Sequence, residues 1–249
     1  MQRTRRQRLR RLRRIKTRKQ KGGSQEHTVL MIETRKVKSM PLVLRTIFEN
    51  LGPQWKLLIF HGTTNKEWLE NILEMKFQKD RSRVTLKDCG RARIDIPEYN
   101  RMMTGREILD QIPTEMFLVV QTDSMLCKGK GGLLNEFMKY DYVGAPWRDR
   151  ERVGNGGLSL RRKSKMIQIA DKCEKLDHME DGFFAYGCDG ARPNIPDFQL
   201  AKRFAIESVY NPESFGIHKP RHHLPEMERE LNQQCEGYDE LHKLMGQED

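Results

Sequence analysis

The run Met116–Val120, extended by Gln121 to read MFLVVQ, is the longest uninterrupted apolar stretch in the chain. A strand that is apolar at every position needs cover on both faces, which places it in the middle of a sheet flanked by helices. The segments before it fit that frame. Thr28–Glu33 (TVLMIE) and Trp55–His61 (WKLLIFH) read as buried strands, and Val84–Leu86 as a third, short one. Between them, Pro41–Leu51 has helical spacing and opens with a proline, which a first helical turn tolerates. Lys66–Leu73 reads as a second helix, and Glu98–Gln111 as a third, stopped by Pro113. Strands alternating with helices over short connections predict an α/β fold with a mostly parallel central sheet.

The formal charge of +11 resembles that of a nucleic-acid binder until it is divided along the chain. Residues 1–21 hold nine Arg and three Lys and no acid, giving +12, so the remaining 228 residues sum to 11 − 12 = −1. Twelve like charges repel and cannot bury a core, so residues 1–24 are expected to be a disordered basic arm. Leu9, Leu12 and Ile15 would form a thin apolar stripe if the arm became helical on an anionic partner: nucleic acid, acidic protein or lipid. The five cysteines are odd in number, scattered and without a C-x-x-C pair, which predicts neither a disulfide framework nor a zinc cage and favours a reducing compartment. No apolar run approaches the roughly 20 residues of a membrane-spanning helix, and the N-terminus lacks the apolar stretch of a secretory signal. The expectation is a cytoplasmic protein without a transmembrane segment.

After Asp123 the regular alternation loosens into glycine-rich and aromatic segments, which places the candidate site in the second half. Four motifs carry chemistry there. Gln121-Thr122-Asp123-Ser124 follows the central strand, at the strand end where open α/β sheets bind ligands. Asp123 either caps the next turn or holds a divalent cation that grips a diphosphate. Tyr142–Trp147 (YVGAPW) and Gly154–Leu160 (GNGGLSL) cluster glycines, whose missing Cβ lets backbone approach a ligand. Asn155, Gly156 and Gly157 would shape a sugar or phosphate site, with Trp147 either under a sugar ring or in the core. Glu180-Asp181 precedes Phe183-Phe184. The pair either starts a helix or supplies a general base whose pKa an apolar wall raises. Gly216-Ile217-His218-Lys219-Pro220 could close on a diphosphate, with His218 on the metal and Lys219 on phosphate oxygens, while His222 and His223 read as a solvated basic loop.

The order of these strings, QTDS, then DYVGAPW, GNGGLSLR, EDGFF, ES and GIHKP, resembles a glycosyltransferase-like family long catalogued as a domain of unknown function. The resemblance runs from about Thr28 to Leu224 and is densest between Phe117 and Pro220. It implies a Rossmann-like GT-A fold, in which an acidic motif after a central strand binds Mn2+ or Mg2+ and the donor diphosphate. Here the first acid is Gln121, so Asp123 alone carries over as that ligand. An acidic pair near the acceptor implies Asp181 as the base, with Glu180 second. A late histidine implies His218 as a second metal ligand. Arg221 stands where the resemblance implies an aromatic residue.

The resulting expectation is a GT-A domain over residues 25–225, followed by a charged helix or tail over 226–249. Its function would be transfer of a sugar from a nucleotide-diphosphate-sugar donor to a glycan or other hydroxyl acceptor. Inversion is expected because the acid pair offers a base and no nucleophile is evident. Gln121, Thr122, Asp123, Ser124, Trp147, Asn155, Gly156, Gly157 and Lys219 would bind donor. Asp123 and His218 would hold Mn2+ or Mg2+. The alternatives are a degenerate glycan- or nucleotide-binding module, favoured by Gln121, and a nucleic-acid-associated protein acting through the arm.

Overall fold

The computed structural model describes residues 25–148, 152–174 and 179–246; the basic arm lies outside them. Strands β1 (His27–Glu33), β2 (Trp55–His61), β3 (Val84–Asp88) and β4 (Met116–Val120) alternate with helices α1 (Met40–Asn50), α2 (Lys66–Lys76), α3 (Ile96–Thr104) and α4 (Arg106–Leu109). The second half adds β5 (Ser124–Leu126), α5 (Leu134–Phe137), β6 (Tyr142–Gly144), β7 (Pro146–Trp147), β8 (Arg152–Val153) and β9 (Leu158–Arg162). These are followed by α6 (Lys163–Lys172), α7 (Glu180–Tyr186), α8 (Phe198–Ala201), β10 (Ala205–Ile206), β11 (Gly216–His218), α9 (Glu228–Gln234) and α10 (Tyr238–Met245).

The main sheet has the order β3-β2-β1-β4-β9-β6. The pairs β3–β2, β2–β1 and β1–β4 are parallel, and β9 runs antiparallel to both β4 and β6. Every residue of β4 is buried, as its composition requires. Successive side chains of a strand point to opposite faces, and the core divides accordingly. Leu118 and Val120 pack with Val29, Met31, Leu57 and Ile59, whereas Phe117 and Val119 pack with Leu30, Leu58 and Phe60. Truncating one such leucine to alanine is expected to cost about 2–5 kcal/mol.

A second sheet, β10-β11-β5, fixes the later motifs against the first. In the antiparallel pair β11–β5, His218 stands opposite Ser124. In the parallel pair β10–β11, Ile206 stands beside Ile217. These two registers carry residues 123, 207 and 218 to one place.

Two expectations need correction, for the helix over 98–111 and for the cysteines. The helix expected over 98–111 is two helices, because Gly105 adopts extended backbone (φ −89°, ψ −174°) and Thr104 turns its hydroxyl back onto the Asn100 carbonyl. Of the two forms expected after residue 225, helix or tail, residues 228–245 take the helical one in α9 and α10, and Leu231, Tyr238 and Leu241 are buried in the same apolar cluster as the sheet. Four of the five cysteines are paired, Cys127 with Cys235 and Cys173 with Cys188, leaving Cys89 free and buried. The cysteine pattern therefore gives no support to a reducing compartment. Among the described residues, no helix is long and apolar enough to cross a membrane.

Candidate active site

A cleft of about 780 Å³ opens beyond the carboxyl ends of β1 and β4. Its wall includes Gln121, Thr122, Asp123, Asn155, Gly156, Gly157, Glu180, Asp181, His218 and Lys219, so ten of the twelve residues singled out from the sequence meet there. Ser124 and Trp147 do not. Ser124 is fully buried and donates to the Gly157 carbonyl at 3.1 Å, because it starts β5 and faces inward. Trp147 lies in the β7–β8 hairpin against Tyr186, at the other end of α7 from Asp181.

Asp123 sits in the tight turn between β4 and β5, where the Ser124 amide donates to the Gln121 carbonyl. The β11 register brings the Lys219 ammonium to 2.8 Å from Asp123 Oδ2 and His218 Nε2 to 3.4 Å from Oδ1. Burial alone would raise the Asp123 pKa, but His218 and Lys219 outweigh it and hold the carboxyl well below the usual range. Burial opposes charge on His218, yet Asp123 and Glu207 prevail and lift its pKa to about 9. Lys219 is the only non-glycine residue with positive φ among those described (φ 45°), a conformation costing on the order of 1–3 kcal/mol that persists where the surroundings enforce it.

The loop Asn155–Gly157 passes between the two sheets. A Cβ at Gly156 would collide with the Glu180 carboxylate, and one at Gly157 with the His218 imidazole. The glycines therefore serve close approach of other side chains as well as any ligand. Asn155 already uses both ends of its amide, donating to Glu207 Oε1 at 2.5 Å and accepting from the Gly157 amide at 3.1 Å.

The acid pair lies in the first turn of α7, not in extended backbone. Glu180 gives both carboxylate oxygens to Arg161, at 2.6 and 3.0 Å. Arg161 is fully buried between the Tyr142 and Phe184 rings and raised in pKa: burial works against its charge, but Glu180 dominates. Asp181 has no such cation. Burial first, then the Glu180 charge, raises its pKa to about 6, within the useful range for a general base.

Several wall residues were not singled out as site residues from the sequence. Tyr99 lines the cleft with Gln121, its phenol pushed well upward, mainly by burial. Asn100 accepts from the Glu180 amide at 3.1 Å and so anchors the start of α7. Glu33 accepts from Thr122 at 3.0 Å and holds Arg35 at the far end of the cleft. Glu207, in the short Glu-Ser string, is buried against Asn155 and His218. His222 and His223 are exposed, as expected for a solvated loop.

The sheet order defines an α/β fold of the kind found in solved glycosyltransferases. The chain is similar to a mannosyltransferase from Pyrobaculum calidifontis solved with GDP-Man and Mn2+ (TM-score 0.51, 12% identity, 69% of this chain and 55% of that one). It is also similar to the apo form of the glycosyltransferase GlyE of Streptococcus pneumoniae TIGR4 (TM-score 0.51, 12% identity, 78% and 54%). The chain thus spans about half the length of these structures. No curated protein matches it in sequence. Residues 88–218, just over half of the chain, match the family described as "Protein of unknown function (DUF5672)", and the chain belongs to that family.

Proposed function

We propose that the protein transfers a sugar from a nucleotide-diphosphate-sugar donor to a hydroxyl acceptor with inversion. The observation that carries this reading is the convergence of Asp123, His218 and Lys219 with Asp181 on one cleft. The likeness to transferases, one of them solved with GDP-Man and Mn2+, supports the same class.

In this reading the diphosphate lies against Lys219, the sugar against the Asn155–Gly157 loop, and the acceptor beside Asp181. The acceptor oxygen bonds to the anomeric carbon as its proton passes to Asp181. The bond from that carbon to the diphosphate oxygen breaks, and its electron pair leaves with the nucleoside diphosphate. Glu180, fully engaged by Arg161, holds the start of α7 and leaves the proton to Asp181.

Asp123 and His218 are the residues that would hold Mn2+ or Mg2+. Asp123 Oδ1 and His218 Nε2 are buried, face one another and lack hydrogen-bond partners, which suits a shared cation. A histidine donor favours Mn2+. Among the described residues there is no cluster of three or more metal-binding side chains, so the remaining ligands would come from donor phosphates and water. A bound cation would neutralise the negative charge that builds on the departing diphosphate.

A second reading, a module that binds a nucleotide sugar without turning it over, is favoured by Gln121 standing in place of an acid. A thermal-shift panel of nucleotide sugars with and without Mn2+, followed by donor hydrolysis, separates the two. A donor at 100 times its Kd stabilises by about 2.7 kcal/mol. Stabilisation without hydrolysis or transfer selects the binding module, and the absence of any stabilisation overturns both.

A further inference from the structure

Glu207 is the one carboxylate in the cleft that touches both halves of the donor site. It follows β10 directly, and the Ile206–Ile217 register sets it beside His218. It is 7% exposed. Its Oε1 accepts from Asn155 Nδ2 at 2.5 Å and lies 3.3 Å from His218 Nδ1. Its Oε2 is buried without a partner. The His218 ring therefore stands between two carboxylates, with Glu207 at Nδ1 and Asp123 at Nε2.

An imidazole offers a lone pair from only one nitrogen at a time, and the group facing the other nitrogen decides which. When Nε2 is given to a cation, a carboxylate 3.3 Å from Nδ1 favours the proton on Nδ1 and so fixes the side of the ring that faces Asp123. The same oxygen restrains Asn155, and with it the loop whose Gly157 lies against the His218 ring. We propose that Glu207 is a positioning residue. It sets the His218 ring and the Asn155–Gly157 loop in register, so that the cation and sugar positions are built as one unit. This rests on the reading above that Asp123 and His218 hold the cation.

The test uses the full chain and Mn2+ alone, with free Mn2+ read by electron paramagnetic resonance. Glu207→Asp keeps the charge but retracts the oxygens. Glu207→Gln keeps an oxygen in place and removes the charge. A positioning role predicts that Glu207→Asp weakens Mn2+ binding about 10–100-fold, the usual effect of removing the partner that orients a metal-bound histidine. Glu207→Gln then recovers most of the affinity, and both variants melt close to the parent. The proposal is overturned if Glu207→Asp binds Mn2+ like the parent, or if Glu207→Gln binds as weakly as Glu207→Asp. If the parent binds no Mn2+, or Asp123→Ala leaves binding unchanged, the cation reading itself fails and takes this proposal with it.

Discussion

Arg161 Nη1 lies 2.6 Å from Glu180 Oε2, with one side chain fully buried and the other 5% exposed. The guanidinium also donates to Ser159 and to the Gly156 carbonyl, and two aromatic rings flank it. The pair joins the β9 strand to the start of α7, the helix that carries Asp181.

Removing one partner leaves the other charge buried and alone. Arg161→Met is therefore expected to destabilise by about 3–5 kcal/mol, and Arg161→Met with Glu180→Leu to recover much of that loss. Urea unfolding of both variants tests the claim. Equal stability of the single and double variants would show that the ion pair is not what couples the two sites.

Asp181 has opposing demands on its proton. Its pKa is raised to about 6, so the carboxylate that serves as base forms only above that pH. Transfer should rise through an acid limb centred near pH 6 and level off above it. Asp181→Asn should lose about 10²- to 10⁴-fold in kcat with little change in donor KM. Stability runs the other way. With the folded pKa above the unfolded value, the stabilising contribution is fully present below pH about 4 and is lost as pH rises through about 6. Asp181→Asn should therefore melt higher than the parent at pH 8, by on the order of 1–3 kcal/mol in stability. A lower melting temperature would contradict the burial argument.

The central sheet was legible from the sequence, because a strand covered on both faces has to be apolar throughout, as Met116–Val120 is. The meeting of Asp123 with Asp181 was legible through the motifs that frame them. Side-chain direction was not. Ser124 is adjacent to Asp123 in sequence, yet the start of β5 turns it inward. Glu207 and Arg161 take their roles from strand register and from a contact across the fold, neither of which leaves a local pattern. The Cys127–Cys235 pair spans 108 residues, too far for spacing to suggest it.

That long-range pair has a measurable consequence. It ties the C-terminal helices to the end of β5, and cross-linking a long loop restricts the unfolded chain. Cys127→Ser with Cys235→Ser should cost about 2–4 kcal/mol. Thiol counting on the unfolded, unreduced protein should find a single free cysteine, Cys89. Finding five would show that the pairs do not form.

The glycine loop gives the sharpest local test. Gly157 leaves the space that the His218 ring fills, so Gly157→Ala forces the ring, the loop or both to move. Overpacking of this kind typically costs about 1–3 kcal/mol. The larger expected effect is functional, since a displaced ring no longer faces Asp123. Mn2+ affinity should fall about 10–100-fold, as for other losses of ligand orientation. Gly132→Ala is the control, because a Cβ there meets nothing within 4 Å. The control should bind Mn2+ like the parent, whereas unchanged binding in Gly157→Ala would mean that His218 does not hold the cation in the position described.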